Sequence, residues 1–345
     1  MLDFTLPAAL LYLSKEWQIC VVAFLQHVFD DHSHSAKTVN LYRLLLSQFF
    51  SLLHKQPESV TYADVKRYLD SPVRVLAGNG GQPADGTRNM RQCAISSLYT
   101  FAAFYLNRPI ANPTTGMSYV KRQRIGRKRA FSEEELRAFF EAIPDSVLGS
   151  RDYAIFLAYF LTGKRREELV RLRYGDIEPW VFSEQGKSRQ GYRFRYYGKG
   201  KGQEPQYQEL PKMAYQAIMA YLKRSGRLAT IKPGDPLFVP VGYGFHGAMT
   251  YTGSNKPLYS STVAYNFKRY LYAAGLGHDR RLTLHSLRHT AAVMHYRARP
   301  DIMLLQKFLG HASVATSQFY IEDLFGIEDP VALIIEKQFS SLVRR

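Results

Sequence analysis

Thiols are scarce in this sequence. Cys20 and Cys93 are the two cysteines in 345 residues, far apart and without CxxC spacing. That scarcity excludes a disulfide framework and a zinc-cysteine centre, and both side chains read as buried thiols of an intracellular protein. A long apolar run is also missing. The opening stretch Leu6 to Leu13 contains Pro7, follows Asp3 and lacks a basic segment ahead of it, so it resembles neither a signal peptide nor a spanning helix. Carboxylates are in deficit as well. With 46 Lys and Arg against 29 Asp and Glu, the formal net charge is +17 and the pI about 9.7. Such a balance attracts a polyanion, either nucleic acid or an anionic membrane surface. With no anchoring segment, a membrane partner is not expected, and double-stranded DNA in the cytoplasm, at the nucleoid, is.

What is present fills two cores, since 46% of residues are hydrophobic. In the first third, Trp17, Val21, Phe24, Leu25 and Val28 recur at helical spacing, and a second stripe from Val39 to Leu53 follows Ser35 as N-cap. A third helix starts at Thr61, with Asp64 in capping-box position, and runs to Leu69. A Gly/Pro-rich loop, Ser71 to Gly86, then ends at Thr87, expected to cap a long helix to about Leu106. The spacing predicts a helical domain over 1–118. Lys37, Asn40 and Arg43 lie on one of its helices and Arg88 and Arg91 on another. These are either solvated faces or groups that meet DNA phosphates and bases.

Over 119–130 apolar periodicity disappears. Lys121, Arg122, Arg124, Arg127, Lys128 and Arg129 put six basic residues in nine positions, a linker that is either simply solvated or laid along a nucleic-acid backbone. The second domain, 131–325, opens with a Ser132/Glu135 capping box and a Phe131/Leu136 staple. An apolar helix from Tyr153 to Leu161 leads to Thr162-Gly163, and Arg165 to Leu172 reads as another helix. Between Asp176 and Pro211 the period changes to two. Trp180 and Phe182, then Tyr192, Phe194 and Tyr196, then Gln206 to Leu210 predict a small antiparallel sheet. Helices resume at Met213–Arg224, Ser261–Ala274, Leu284–Arg297 and Ile302–Leu309. The fold class is mainly α with a small antiparallel sheet (α+β).

Several scattered fragments carry chemistry. Arg165 and Glu168, three apart on the expected helix, share a face; alone they read as a surface ion pair. His285 and His289, four apart, would suit zinc as in HExxH, but Ser286 replaces the glutamate and Arg288 puts a cation beside the metal. A face with imidazole and guanidinium together is better suited to an anion. His311 sits in the turn after Leu309-Gly310, and Tyr320 comes nine residues later. No clustered carboxylates or thiols are available for a metal, so neither metal nor cofactor is expected.

In order, T-G-x-R-x-x-E-L at Thr162 to Leu169, G-K-G at Gly198 to Gly200, H-x-L-R-H at His285 to His289, L-G-H at Leu309 to His311 and then Tyr320 resemble the tyrosine recombinase family (phage integrase, Xer-type). The helical region before them resembles that family's core-binding domain. The resemblance implies a C-shaped clamp of two domains around duplex DNA, and a site-specific recombinase that cleaves and rejoins strands through a 3′-phosphotyrosyl intermediate without metal. It makes Tyr320 the nucleophile, Arg165 and Arg288 a clamp on the phosphate, and His285 and His311 further hydrogen-bond partners of that phosphate. Lys199 becomes the general acid for the departing 5′ oxygen, with Lys201 the runner-up and DNA contact, and Glu168 orients its neighbours. Where the family usually has an apolar residue this chain has Lys164, and Arg166 adds charge, so a stronger local positive field is expected. The tail 326–345, apolar from Val331 to Phe339, reads as a helix that packs on its own domain or, as the family suggests, on a neighbouring protomer, in a dimer on one site and a tetramer in synapsis. Two rivals stay open, a type IB topoisomerase-like relaxing enzyme and a silent DNA-binding protein of the same fold. Target site, mobile-element integration, dimer resolution and cassette shuffling are not distinguished by the sequence.

Overall fold

A computed structural model of the chain describes residues 5–30, 36–72, 81–120, 129–184, 186–198, 204–243, 249–251, 255–311 and 313–321. The chain divides into two units, Met1–Ile125 and Gly126–Arg345.

In the first unit the apolar stripes become α1 (Lys15–Asp30), α2 (Ala36–Leu53), α3 (Tyr62–Asp70) and α4 (Asp85–Tyr105). Residues spaced three and four apart, among them Trp17, Phe24, Leu46, Phe49, Ile95 and Leu98, meet in one core. The Thr61 capping box forms. The Asp64 backbone N–H donates to Thr61 Oγ1 at 3.3 Å, and the Thr61 N–H donates to Asp64 Oδ2 at 3.0 Å. Cys20 is buried, and its burial pushes the thiol up to about 12, whereas Cys93 is only half-buried.

Two expectations for this unit are corrected. The last helix begins at Asp85 after Ala84, not at Thr87. The Thr87 N–H already donates to the Ala84 carbonyl at 2.8 Å, and the Asp85 carboxylate suits the positive helix end. Arg91, expected among the DNA-facing groups, is 3% exposed. Its Nη1 donates to the carbonyls of Tyr68 at 2.8 Å, Leu69 at 3.3 Å and Ser71 at 2.8 Å, and its guanidinium lies 4.6 Å from the Tyr68 ring centre. It therefore satisfies the orphan carbonyls at the end of α3.

The second unit is built around α6 (Val147–Thr162), preceded by α5 (Glu133–Glu141) and followed by α7 (Arg166–Val170). The Ser132/Glu135 capping box forms, with the Ser132 N–H donating to Glu135 Oε2 at 2.9 Å. Apolar residues cover nearly the whole circumference of α6, so it is buried on most sides. Its one buried carboxylate, Asp152, accepts hydrogen bonds from Arg151 at 2.7 Å and from Asn266 and Tyr270 at 2.8 Å each. Burial pushes that carboxyl upward in pKa, against the pull of Arg151.

β1 (Ile177–Glu184), β2 (Lys187–Tyr196) and β3 (Gln206–Leu210) form the expected antiparallel sheet in that order, with Phe194 opposite Ile177 and Gln208. Then come α8 (Lys212–Arg224), the strand pair β4 (Val241–Tyr243) and β5 (Met249–Tyr251), α9 (Ser260–Ala273), α10 (Leu284–Ala298), α11 (Ile302–Leu309) and α12 (Val314–Ile321). The β4–β5 pair and α12 are additions to the sequence reading, the strands too short to show a period and α12 without a clear apolar stripe in its sequence. No helix of the described residues is long and apolar enough to cross a membrane.

Replacing Arg91 by Met keeps the apolar stem and removes the donors from three carbonyls. The expected loss is about 1–3 kcal/mol in urea unfolding.

Candidate active site

Two glycines make the corner on which the site is built. Gly163 ends α6 with φ 59° and Gly310 ends α11 with φ 65°, each a left-handed cap. A Cβ on Gly163 would stand 2.7 Å from Phe308 Cε1, and one on Gly310 would stand 3.2 Å from the Tyr196 hydroxyl. The Phe308 ring thus packs directly on the backbone that ends α6, and the Tyr196 hydroxyl on the backbone that ends α11.

Arg288, in the second turn of α10 and 0% exposed, ties these ends together. Its Nη1 donates to the Gly163 carbonyl at 2.5 Å and its Nη2 to the Leu309 carbonyl at 2.8 Å. The same Nη2 lies 2.8 Å from His311 Nε2. A guanidinium can only donate, so Nε2 accepts and the imidazole proton sits on Nδ1, which donates to Ser317 Oγ at 2.9 Å. Burial, helped by the positive charges of Arg288, Arg165, His285 and Lys164, drives His311 down to about 3. At neutral pH it is an uncharged, fully oriented ring. Gln306 donates from Nε2 to the His311 carbonyl at 3.1 Å and fixes its backbone.

Arg165 precedes α7 as its N-cap rather than lying within the helix, and Glu168 closes the turn onto it. The Arg165 backbone N–H donates to Glu168 Oε2 at 2.7 Å and its Nη1 to Oε1 at 3.1 Å. Glu168 is buried while Arg165 keeps about a third of its side chain exposed, with 5% and 34% respectively. A buried carboxylate thus aims an exposed guanidinium. His285 is half-buried in the first turn of α10, and His289, one turn on, is buried. Among the described residues no group of three or more His, Cys, Asp and Glu could hold a metal.

Lys164 points inward rather than adding to a surface field. It is 0% exposed, donating to the Phe308 carbonyl at 2.8 Å and the Tyr196 hydroxyl at 3.0 Å. Arg166 stands 3.6 Å from Glu167, which offsets its charge. Tyr320 belongs to α12, as does Ser317, and that helix packs on α10 and α11. Lys199 and Lys201 lie outside the described residues, as do Lys121, Arg122, Arg124, Arg127, Lys128 and the tail 326–345.

Of the other expected DNA contacts, Lys37 and Asn40 are exposed and Arg43 half-buried, in succession along one stripe of α2. Arg88 pairs with Asp70 at 2.6 Å. Arg129 bridges Glu135 at 2.6 Å and Asp279 at 2.8 Å with its guanidinium, and 29% of the side chain stays exposed. Sequence reasoning missed Ser317, Gln306 and Tyr196 as supports of the site. Of these, only Tyr196 carried a signal, its alternation with Phe194.

Residues 129–326 match the model of the phage integrase family, more than half of the chain. The chain belongs to that family. It is a site-specific recombinase working through a tyrosine nucleophile, and the relaxing and silent alternatives are not favoured. Among its relatives is the tyrosine recombinase XerC of Listeria innocua, 27% identical over 305 residues that cover 86% of this chain and 90% of that protein. XerH recombinase, solved on its difH substrate before cleavage, has a similar fold, with TM-score 0.61 at 20% identity over 92% of this chain and 84% of the other. So does a lambda integrase (75-356) dimer bound to a COC′ core site, with TM-score 0.62 at 16% identity over 90% and 96%.

For the recombinase, the state of His311 sets a pH signature. Its folded pKa of about 3 lies below its ordinary 6.5. Above 6.5 neither state binds the proton. As pH falls through the window between, the unfolded chain takes it up and the folded chain does not, so stability declines. His311→Gln should lose this part of the decline, measured as a smaller drop in urea-unfolding free energy from pH 7 to pH 5 than the wild type shows. Equal drops would mean that His311 titrates normally.

Proposed function

We propose that this recombinase cleaves and rejoins specific sites in double-stranded DNA, with Tyr320 forming the covalent link, Arg165, His285 and Arg288 holding the scissile phosphate, and His311 holding Arg288 in place beside it. What supports these roles most is the convergence of separate fragments at one corner, Gly163 against Arg288, 125 residues apart in sequence, and Arg288 against His311, 23 apart. A phosphodiester approaching its five-coordinate transition state gains negative charge on the non-bridging oxygens. Two planar guanidiniums suit that charge, and each well-placed donor contributes roughly 10²–10³ in rate. Arg165 offers the more exposed fork. Arg288 keeps a buried Nε–H with no hydrogen-bond partner, while its other nitrogens hold the corner.

In the proposed step the Tyr320 oxygen attacks phosphorus and the bond to the 5′ oxygen breaks. A 3′-phosphotyrosyl diester remains, and the 5′ oxygen leaves as a hydroxyl after taking a proton from Lys199, or from Lys201 in its stead. The bond is conserved rather than lost to water, so the 5′ hydroxyl of a partner strand can reverse the step. His311 accepts from Arg288 and gives its one N–H to Ser317, so it orients the clamp, and His285 in its neutral form is the histidine left to take the phenol proton.

The stripe Lys37, Asn40 and Arg43 on α2, with the basic run Lys121 to Lys128, is proposed to track DNA phosphates. Each neutralised phosphate would steepen the fall of log affinity with log salt by about 0.9. A dimer on one site and a tetramer for exchange belong to the same proposal. They are supported by the similar fold of the integrase dimer on its core site.

The test is covalent capture. A pool of nicked duplexes of randomised sequence, labelled on the strand 5′ of the nick, should yield a denaturant-resistant protein–DNA adduct with wild-type enzyme and none with Tyr320→Phe. Sequencing the captured strands should return one motif. Equal capture by both proteins would remove Tyr320 as the nucleophile.

A further inference from the structure

Lys164 stands inside the corner that Arg288 ties from the other side. It is fully buried, yet two of its three ammonium donors go to neutral acceptors, the Phe308 carbonyl at 2.8 Å and the Tyr196 hydroxyl at 3.0 Å. The ammonium also lies 4.4 Å from the centre of the Tyr196 ring. A buried ammonium costs several kcal/mol in lost hydration, which hydrogen bonds and a ring face offset only in part. An apolar side chain would avoid that cost. The charge is placed where it meets two elements of the site at once.

The first is the end of α11. Phe308 supplies its carbonyl to Lys164, Leu309 supplies the next carbonyl to Arg288, Gly310 turns the chain, and His311 follows with its ring on Arg288. Successive carbonyls of one turn are thus gripped by two cations from different parts of the chain. The second is the end of β2, since Tyr196 is its last residue and Gly198-Lys199-Gly200 follows after Tyr197. One ammonium joins the His311 corner to the root of the segment that carries the proposed acid.

We propose that Lys164 is a positioning residue for strand cleavage, which from within the fold sets the His311 corner and the end of β2 relative to Arg165 and Arg288. It touches no DNA. The inference rests on the reading of this corner as the strand-transfer site, and its loss should appear in the chemical step rather than in binding. A misplacement of about 1 Å at a reacting centre lowers the rate by as much as about 10²-fold.

The experiment uses the full chain and the nicked duplex recovered by covalent capture. Lys164→Met preserves the stem and removes the ammonium, and Tyr196→Phe preserves the ring and removes the hydroxyl. For Lys164→Met the single-turnover rate of adduct formation should fall by about 10²-fold, while affinity for the same duplex, measured by equilibrium anisotropy, stays within about threefold of wild type. Tyr196→Phe should show a smaller loss with the same split between rate and affinity. A wild-type cleavage rate in Lys164→Met would overturn the proposal, and so would a loss of affinity equal to the loss of rate, which would make Lys164 merely structural. If Lys164→Met does not fold, Tyr196→Phe decides by the same criteria. Adduct formation that persists in Tyr320→Phe would instead overturn the reading of the site, so the two failures are distinguishable.

Discussion

The buried guanidinium of Arg288 is the constraint on which the second unit's geometry depends. An ion with no access to water must find its hydration shell in the protein. Here that shell is the Gly163 carbonyl, the Leu309 carbonyl and the His311 ring. Those groups can converge only if α6 and α11 both end where they do, and each end is set by a glycine in a conformation that other residues resist. The requirement of one side chain therefore fixes the junction of α6, α10 and α11, and with it the place where α12 and Tyr320 begin. Lys164, gripping the neighbouring carbonyl, fixes the same junction from inside.

Crowding positive charge at one point has consequences for what the site can receive. Burial first, and then the positive charges of Arg288, Arg165, His285 and Lys164, keep His311 uncharged. Glu168 answers Arg165 but is buried beneath it, so the exposed side of the pair is the guanidinium. An anion arriving at such a corner replaces poorly hydrated repulsion with hydrogen bonds that are already aimed, which is how electrostatic preorganisation lowers a barrier. A phosphodiester, with one charge spread over two non-bridging oxygens, matches forked donors better than a compact ion does.

Much of this could be read from the sequence because it follows from local rules. Apolar spacing gave α1 and α2, capping boxes located the starts of α3 and α5, and alternation at Tyr192, Phe194 and Tyr196 gave the sheet. That Arg288 and His311 belong to one place in the fold was legible through the order of their motifs. Illegible was what depends on partners distant in the chain. Whether Arg91 or Arg129 faces solvent or caps a neighbour is decided by carbonyls and carboxylates tens of residues away. The same holds for Lys164, whose charge suggested a surface position until Phe308 and Tyr196 came together around it. Basic residues in a basic protein are the ones for which composition misleads, since long cationic side chains reach inward as readily as outward.

The central claim is that Arg288 holds His311 as a neutral ring protonated on Nδ1, and the most direct measurement is the nitrogen NMR spectrum of that imidazole in uniformly labelled protein, assigned by its disappearance in His311→Gln. The account requires one protonated and one bare ring nitrogen, with Nδ1 the protonated one, and no titration between pH 7 and pH 5. A spectrum showing Nε2 protonated, or a ring that takes up a proton with a midpoint near the ordinary value of about 6.5, would contradict it.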